Sequence, residues 1–165
     1  MPLPLATERL LLRPATQVDL DAWLAISRDA EGAWFGAPTS TLDDARVKLE
    51  QHMAHQQQHG FALWAVELRS SGEMIGVAGL THLADGSEIE VGYRFLERCW
   101  GHGYATEAAL AAIAFGFSEL GLERIVAVTR PNNRASRRVM EKCGMSFVGV
   151  MHVYGYAQVK YAIAR

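Results

Sequence analysis

Apolar and polar positions along the chain repeat with a period that changes from segment to segment, and those changes outline its elements. Arg9–Arg13 (RLLLR) is a short apolar run stopped by Pro14, which predicts a first strand. Thr16 or Asp19 can cap a helix through about Ser27, with Leu20, Trp23, Leu24 and Ile26 as its inward face. Residues 28–40 carry Gly32, Gly36 and Pro38 around Trp34 and Phe35, which reads as a loop or broken helix exposing aromatic rings. Thr41-Leu-Asp-Asp then opens a second helix, a hydroxyl cap followed by acids that suit the helix dipole. It runs to about His59 and stops at Gly60.

From Phe61 the period is two. Phe61–Leu68, Met74–His82 and Ile89–Phe95 read as successive strands, with turns at Ser71-Gly72 and Asp85-Gly86. Such tight turns join antiparallel neighbours, so these strands form a meander. Tyr104–Leu120 is a helix apolar nearly all round, hence buried. Ile125–Thr129 is a strand, and Asn133–Cys143 a helix ended by Gly144. Phe147–His152 and Val159–Ile163 close the chain as strands around Tyr154-Gly155-Tyr156. The class is α+β: a mixed, mostly antiparallel sheet of about seven strands with about four helices on it.

Composition narrows the function classes. A length of 165 residues favours a single domain over residues 1–165, and 50% hydrophobic with 21% charged residues excludes wholesale disorder. A formal charge of -2 supplies no net basic field for nucleic acid or a membrane, so neither is expected as a partner. Cys99 and Cys143 are too few for a disulfide framework and read as free thiols of a reducing compartment. The start lacks a basic region ahead of its apolar residues, and Tyr104–Leu120 contains Glu107 and Glu119 and falls short of a bilayer span. A cytoplasmic location is expected. His52, His55 and His59 share one helix face at a spacing that can bind a metal, but glutamines surround them and no carboxylate joins them. They read as a solvated polar face, with no metal.

Candidate chemistry concentrates in Arg98-Cys-Trp100-Gly101-His102-Gly103-Tyr104-Ala105-Thr106, between a strand and the buried helix. Two glycines two apart let backbone N–H groups turn inward, and the helix start adds unsatisfied donors and partial positive charge. This is an anion cradle sized for a phosphate or pyrophosphate, to which Arg98 can add a planar cation; the competing reading is a tight loop and nothing more. The lysine and hydroxyl of a P-loop are absent. A dinucleotide fingerprint would need glycine where Thr106 stands, and a βαβ unit where this chain has a meander.

The run Arg98-x-x-Gly101-x-Gly103 resembles the acyl-coenzyme A loop of the GNAT superfamily of N-acetyltransferases, whose pattern is Gln/Arg-x-x-Gly-x-Gly/Ala. Thr7-Glu-Arg-Leu-Leu-Leu-Arg13, Glu90-Val-Gly-Tyr93, Asn133-x-Ala-Ser136 and Glu141-Lys-Cys-Gly144-Met145 resemble its Rim-type branch, which includes ribosomal-protein N-terminal acetyltransferases. The resemblance implies a sheet splayed in the middle after Ile89–Phe95, acetyl-CoA as co-substrate, no metal, and a primary amine acceptor. Its pyrophosphate would lie on residues 98–103 and the helix start, from Tyr104 to Thr106, and its pantetheine arm against backbone groups of Val91 and Tyr93. Asn133 would bond the arm or cap its helix, two roles that are compatible.

Acetyl transfer needs a neutral amine, and a lysine amine with pKa of about 10.4 must lose a proton more often than an α-amine of about 8. Glu88 and Glu90 lie on one face by the period-two rule; Glu90, at the family position just before Val91-Gly92-Tyr93, is the expected proton acceptor, directly or through water. Ser136, in the first turn of its helix, would stabilise the departing thiolate. Many relatives carry a tyrosine as general acid where this chain has Met140, and Tyr154 or Tyr156 could substitute. Trp34, Phe35, Glu88 and Tyr154 are expected around the acceptor, a peptide terminus or a small-molecule amine. The alternative is a coenzyme-binding sensor without turnover; monomer and homodimer are both compatible.

Overall fold

A computed structural model describes residues 2–84 and 86–165, apart from the side chain of Phe35; Asp85 of the expected Asp85-Gly86 turn lies outside it. Among the described residues are strands β1 (Leu5–Ala6), β2 (Leu10–Arg13), β3 (Leu63–Leu68), β4 (Met74–His82), β5 (Ile89–Phe95), β6 (Arg124–Thr129), β7 (Ser146–Val153) and β8 (Tyr156–Ala164). The helices are α1 (Leu20–Phe35), α2 (Leu42–His59), α3 (Tyr104–Ser118) and α4 (Arg134–Lys142). The strands form one sheet in the order β1-β2-β3-β4-β5-β6-β8-β7. The expected α+β class holds, with eight strands where about seven were expected: β1 is two residues long, too short to leave a periodic trace.

Two expectations about the helices need correction. The first helix does not end near Ser27 but continues to Phe35, so residues 28–35 are helical and Trp34 lies on α1. One internal glycine, Gly32, costs about 1 kcal/mol, and the carboxylate of Glu31 offsets it by accepting hydrogen bonds from the backbone N–H groups of Thr39 (2.6 Å) and Ser40 (2.8 Å). The helix stops where Gly36 takes φ 78° and its N–H bonds the Gly32 carbonyl. Of the three histidines of α2 only His59 is solvated. His52 turns inward against Trp23, with ring centroids 5.4 Å apart, and His55 packs on Phe61 and His82. The start of α2 is as expected: the Thr41 hydroxyl accepts from the Asp44 N–H, and the Asp44 carboxylate accepts from the Thr41 N–H.

The sheet is covered on both faces. On one, Trp23 and Ile26 of α1 and Ala45 and Leu49 of α2 pack on Val77. On the other, Ala108, Ala109, Ala112 and Ile113 of α3 and Met140 of α4 meet Trp64, Ala78, Leu80 and Ile125. The alanines of α3 let it lie close to the strands, which is why a helix with so little amphipathic contrast is buried.

Antiparallel pairing is continuous from β1 to β5 and through β6, β8 and β7, but between β5 and β6 it changes character. These two strands run parallel and register at one pair, Glu90 with Val126. Beyond Glu90 they part.

Gly79 of β4 sits beneath the Ala62 carbonyl, where an added Cβ would lie 2.0 Å from the oxygen. Gly79→Ala should therefore force β3 and β4 apart and destabilise the fold by ~3 kcal/mol, read by chemical denaturation.

Candidate active site

The parting of β5 from β6 opens a cleft of about 970 Å³. Its floor is Val77, Thr81, Glu90, Val91, Gly92 and Tyr93; one wall is Asn133, Ser136, Val139 and Met140 of α4. The Leu96 N–H bonds the Ile75 carbonyl of β4. In an antiparallel ladder alternate residues face opposite edges, so Val91 and Tyr93 point their backbone N–H and C=O groups away from β4, into the gap. The Val91 N–H closes the one parallel bridge to β6, and the Val91 carbonyl with the N–H and C=O of Tyr93 forms a free strand edge inside the cleft.

At one end of the gap, Cys99, Trp100, Gly101, Gly103, Tyr104, Ala105 and Thr106 line the cleft. Gly101 and Gly103 take φ 80° and 82°, a region costly for other residues. The first helical bond of α3 runs from the Glu107 N–H to the Gly103 carbonyl, so the N–H groups of Tyr104, Ala105 and Thr106 have no carbonyl within the helix. Arg138 and Lys142 line the same cleft and make it cationic.

A tie that the composition of the loop does not reveal holds this turn in position. The Arg9 guanidinium donates to the His102 carbonyl (2.8 Å) and to the Glu107 carboxylate (2.7 Å), which also accepts from the Thr7 hydroxyl (2.6 Å) and the Arg9 N–H (2.8 Å). Burial works to raise the Glu107 pKa, but these hydrogen bonds and the Arg9 charge outweigh it and hold the carboxyl below its ordinary value. The acid nearest the helix start is thereby neutralised. Arg9 also lies 4.6 Å over the Tyr104 ring.

Two of the residues expected around the pyrophosphate direct their side chains elsewhere. Arg98 pairs with Glu73, and the His102 ring bonds the Cys99 carbonyl and stacks on Tyr104, so both stabilise the loop from outside the cleft. Trp100 lines the cleft and donates from its indole N–H to the Phe95 carbonyl at 2.9 Å.

Asn133 caps α4, its side-chain oxygen accepting from the Ser136 N–H at 3.1 Å. The Ser136 hydroxyl lies 2.9 Å from the Tyr93 hydroxyl, which links β5 to α4 across the gap. Burial pushes the Tyr93 pKa up, so its phenol stays protonated. Sequence reasoning assigned Tyr93 a backbone role and missed this hydroxyl contact, because a pair 43 positions apart leaves no local pattern.

Glu90 is half-buried and hydrogen-bonded by the Tyr154 and Thr81 hydroxyls. Desolvation raises its pKa above the usual carboxylate value despite these two bonds, which act the other way. Tyr154 reaches Glu90 from the β7–β8 turn, where it holds φ 55°. Glu88 does not line the cleft. It precedes β5 and is drawn to Lys160 and Arg124. Trp34, Lys48, His52 and Tyr156 complete the mouth. Burial, assisted by the charges of His55 and Lys48, depresses the His52 pKa to about 4, so this imidazole is neutral near neutrality. Met140, whose side chain has no proton to give, is buried against the cleft. Phe35 ends α1, with its side chain outside the described residues.

A family model described as an acetyltransferase (GNAT) domain matches residues 9–146. A Bacillus subtilis protein named uncharacterized N-acetyltransferase YoaA is 34% identical over 156 residues, covering 92% of this chain and 88% of its own. Among solved structures, a putative GnaT-family acetyltransferase from Bordetella pertussis superposes with a TM-score of 0.85 at 26% identity, covering 97% of this chain and 98% of that one. RimL, a ribosomal L7/L12 alpha-N-protein acetyltransferase solved with coenzyme A, shares the fold at a TM-score of 0.81 and 19% identity, over 98% of this chain and 97% of its own. No helix among the described residues is long and apolar enough to cross a membrane.

Removing the Tyr154 hydroxyl takes away a bond that favours the Glu90 carboxylate, so Tyr154→Phe should raise the Glu90 pKa further. Carbon-13 NMR titration of the side-chain carboxyl measures the shift; a fall would contradict the geometry.

Proposed function

The chain belongs to the GNAT acetyltransferase family, and we propose that it acts as one domain, residues 1–165, moving an acetyl group from acetyl-CoA to a primary amine by direct attack on the thioester. The observation that carries this reading is the parted strand edge of Val91 and Tyr93 leading to the glycine turn before α3. A diphosphate fits against the N–H groups at the start of α3, with Arg138 and Lys142 nearby, and an amide-bearing arm fits the free ladder groups as an added strand would. An arm lying along β5 toward Glu90 brings its thioester end beside that carboxylate.

In this reading Glu90 accepts the proton of the attacking amine, directly or through one water, and its raised pKa suits a base working near neutrality. Ser136 donates to the departing thiolate at the positive end of α4, with its hydroxyl oriented by Tyr93. Full proton transfer from a serine is disfavoured, so the thiolate is stabilised more than protonated in place. Tyr154 is the other hydroxyl near the acceptor, and its bond to Glu90 supports a role in fixing that carboxylate. Holding amine and thioester together supplies on the order of 7–11 kcal/mol of the barrier, more than a single general base gives.

The acceptor enters past Trp34, Tyr154 and Tyr156, aromatic surfaces that suit a peptide α-amine or a small-molecule amine. Two buried free thiols, Cys99 and Cys143, fit a reducing cytoplasm. The second reading, a coenzyme-binding sensor, draws on Met140 alone.

A thiol-release assay over small amines and N-terminal peptides separates the two: turnover with any acceptor supports the transferase, and coenzyme binding without thiol release supports the sensor. Glu90→Gln should lower kcat about 10²–10⁴-fold and remove the acid limb of the pH–rate profile, while acetyl-CoA affinity by calorimetry stays nearly unchanged. Ser136→Ala should also slow turnover with little loss of affinity. Gly103→Val, which puts a branched side chain at φ 82° beside Arg9, should abolish measurable coenzyme binding.

A further inference from the structure

Outside the cleft, three histidines meet at one end of the sheet. His55 and His59 stand four apart on the last turns of α2, on one face of the helix, and His82 is the last residue of β4. Their ligand nitrogens all lie within 4.8 Å of one another. Ring centroids are 4.5 Å apart for His55 and His59, 4.7 Å for His59 and His82, and 5.0 Å for His55 and His82.

The chain before and after the cluster is arranged to aim it. Gly60 ends α2 with φ 80°, turning the backbone so that the Phe61 carbonyl lies 2.6 Å from His55 Nδ1. That carbonyl can only accept, so Nδ1 carries the proton and Nε2 presents a lone pair. A backbone carbonyl on the far nitrogen is the support that orients metal-ligating histidines. His55 Nε2 in turn accepts a hydrogen bond from His82 Nδ1 at 2.8 Å, so an ion enters here as His82 moves its proton to Nε2 and gives up Nδ1 as a ligand. Two nitrogens on a tetrahedral zinc at ~2.05 Å are about 3.3 Å apart, so this pair is already near coordination distance. His59 is exposed at the rim of the cluster, with its ring already against both of the others, so a small side-chain adjustment brings in the third donor.

We propose that His55, His59 and His82 bind one divalent transition-metal ion of the zinc class, with water completing its coordination. Three neutral imidazoles without thiolate or carboxylate favour zinc, cobalt, nickel or copper over magnesium or calcium. None of the three rings lines the cleft, and the ion stands apart from the acetyl-transfer chemistry. It pins the end of α2 to β4. Because Lys48 and His52 of α2 line the acceptor mouth, and Thr81 beside His82 bonds Glu90, the clamp steadies that side of the cleft.

Tag-free protein, stripped with chelator, is titrated with zinc chloride by calorimetry and with cobalt chloride by visible absorption. Saturable binding of one ion per chain at micromolar or tighter concentration, with cobalt bands of low coordination number, supports the site. His59→Ala changes an exposed ring and should keep the far-ultraviolet circular dichroism spectrum while weakening zinc at least tenfold; His82→Ala should do the same. Zinc should raise the melting temperature of the parent chain but not of His59→Ala. Absence of saturable binding up to 100-micromolar zinc, or binding undiminished in both variants, overturns the proposal. Neither readout depends on acetyl transfer, so failure here leaves the transferase reading intact.

Discussion

One constraint shapes the molecule: two adjacent strands of a single sheet that pair at one position and then diverge. A sheet normally satisfies every interior N–H and C=O through its neighbours, and an unpaired interior edge is costly unless something polar fills it. Here β5 is fully paired to β4 on one side and, past Glu90, faces open space on the other. Two helices lie to either side, so the gap is walled and does not collapse onto a neighbouring strand. In the proposed function its free backbone groups suit a ligand with amides of its own, and the unsatisfied N–H groups at the start of α3 suit that ligand's anionic end.

Precision at the turn comes from a distant segment. Thr7 and Arg9 reach the start of α3 and bind Glu107 through three hydrogen bonds and the His102 carbonyl through a fourth. The arrangement does two things together: it fixes a loop that two glycines would otherwise leave free, and it sets the Arg9 charge against the Glu107 carboxylate beside the unsatisfied N–H groups at the start of α3. Opposite, the Tyr93–Ser136 contact spans the gap near its other wall and sets how far α4 stands from β5. The geometry of the cleft is thus held by side chains from β1–β2, β5 and α4 together.

Much of this was legible from residues alone. The meander, the buried α3, the caps of α2 and α4 and the glycine turn are encoded locally, by period, hydroxyl position and paired glycines. The extension of α1 was not, because it rests on Glu31 receiving the backbone of Thr39 and Ser40, a contact made after folding. Arg98 looked like the cradle's cation by proximity, whereas Glu73, brought near by strand register, claims it. His52 and His55 of α2 looked solvated because their partners, Trp23 and His82, lie on other elements. Glu88 shows the same rule: sheet alternation puts it on one face with Glu90 but could not foresee that Lys160 would draw it out of the cleft.

The turn between β7 and β8 holds a different lesson. Its two central residues, Tyr154 and Gly155, have φ 55° and 82°, the pattern of a mirror-image turn that ordinarily takes asparagine and glycine. A tyrosine in that conformation costs on the order of 1 kcal/mol or more relative to asparagine, yet its hydroxyl is thereby delivered to Glu90. The hairpin tip is therefore a site of built-in conflict between durability and chemistry. A chain selected for robustness alone would drift toward Asn-Gly here, and in doing so would surrender the phenol that steadies its carboxylate.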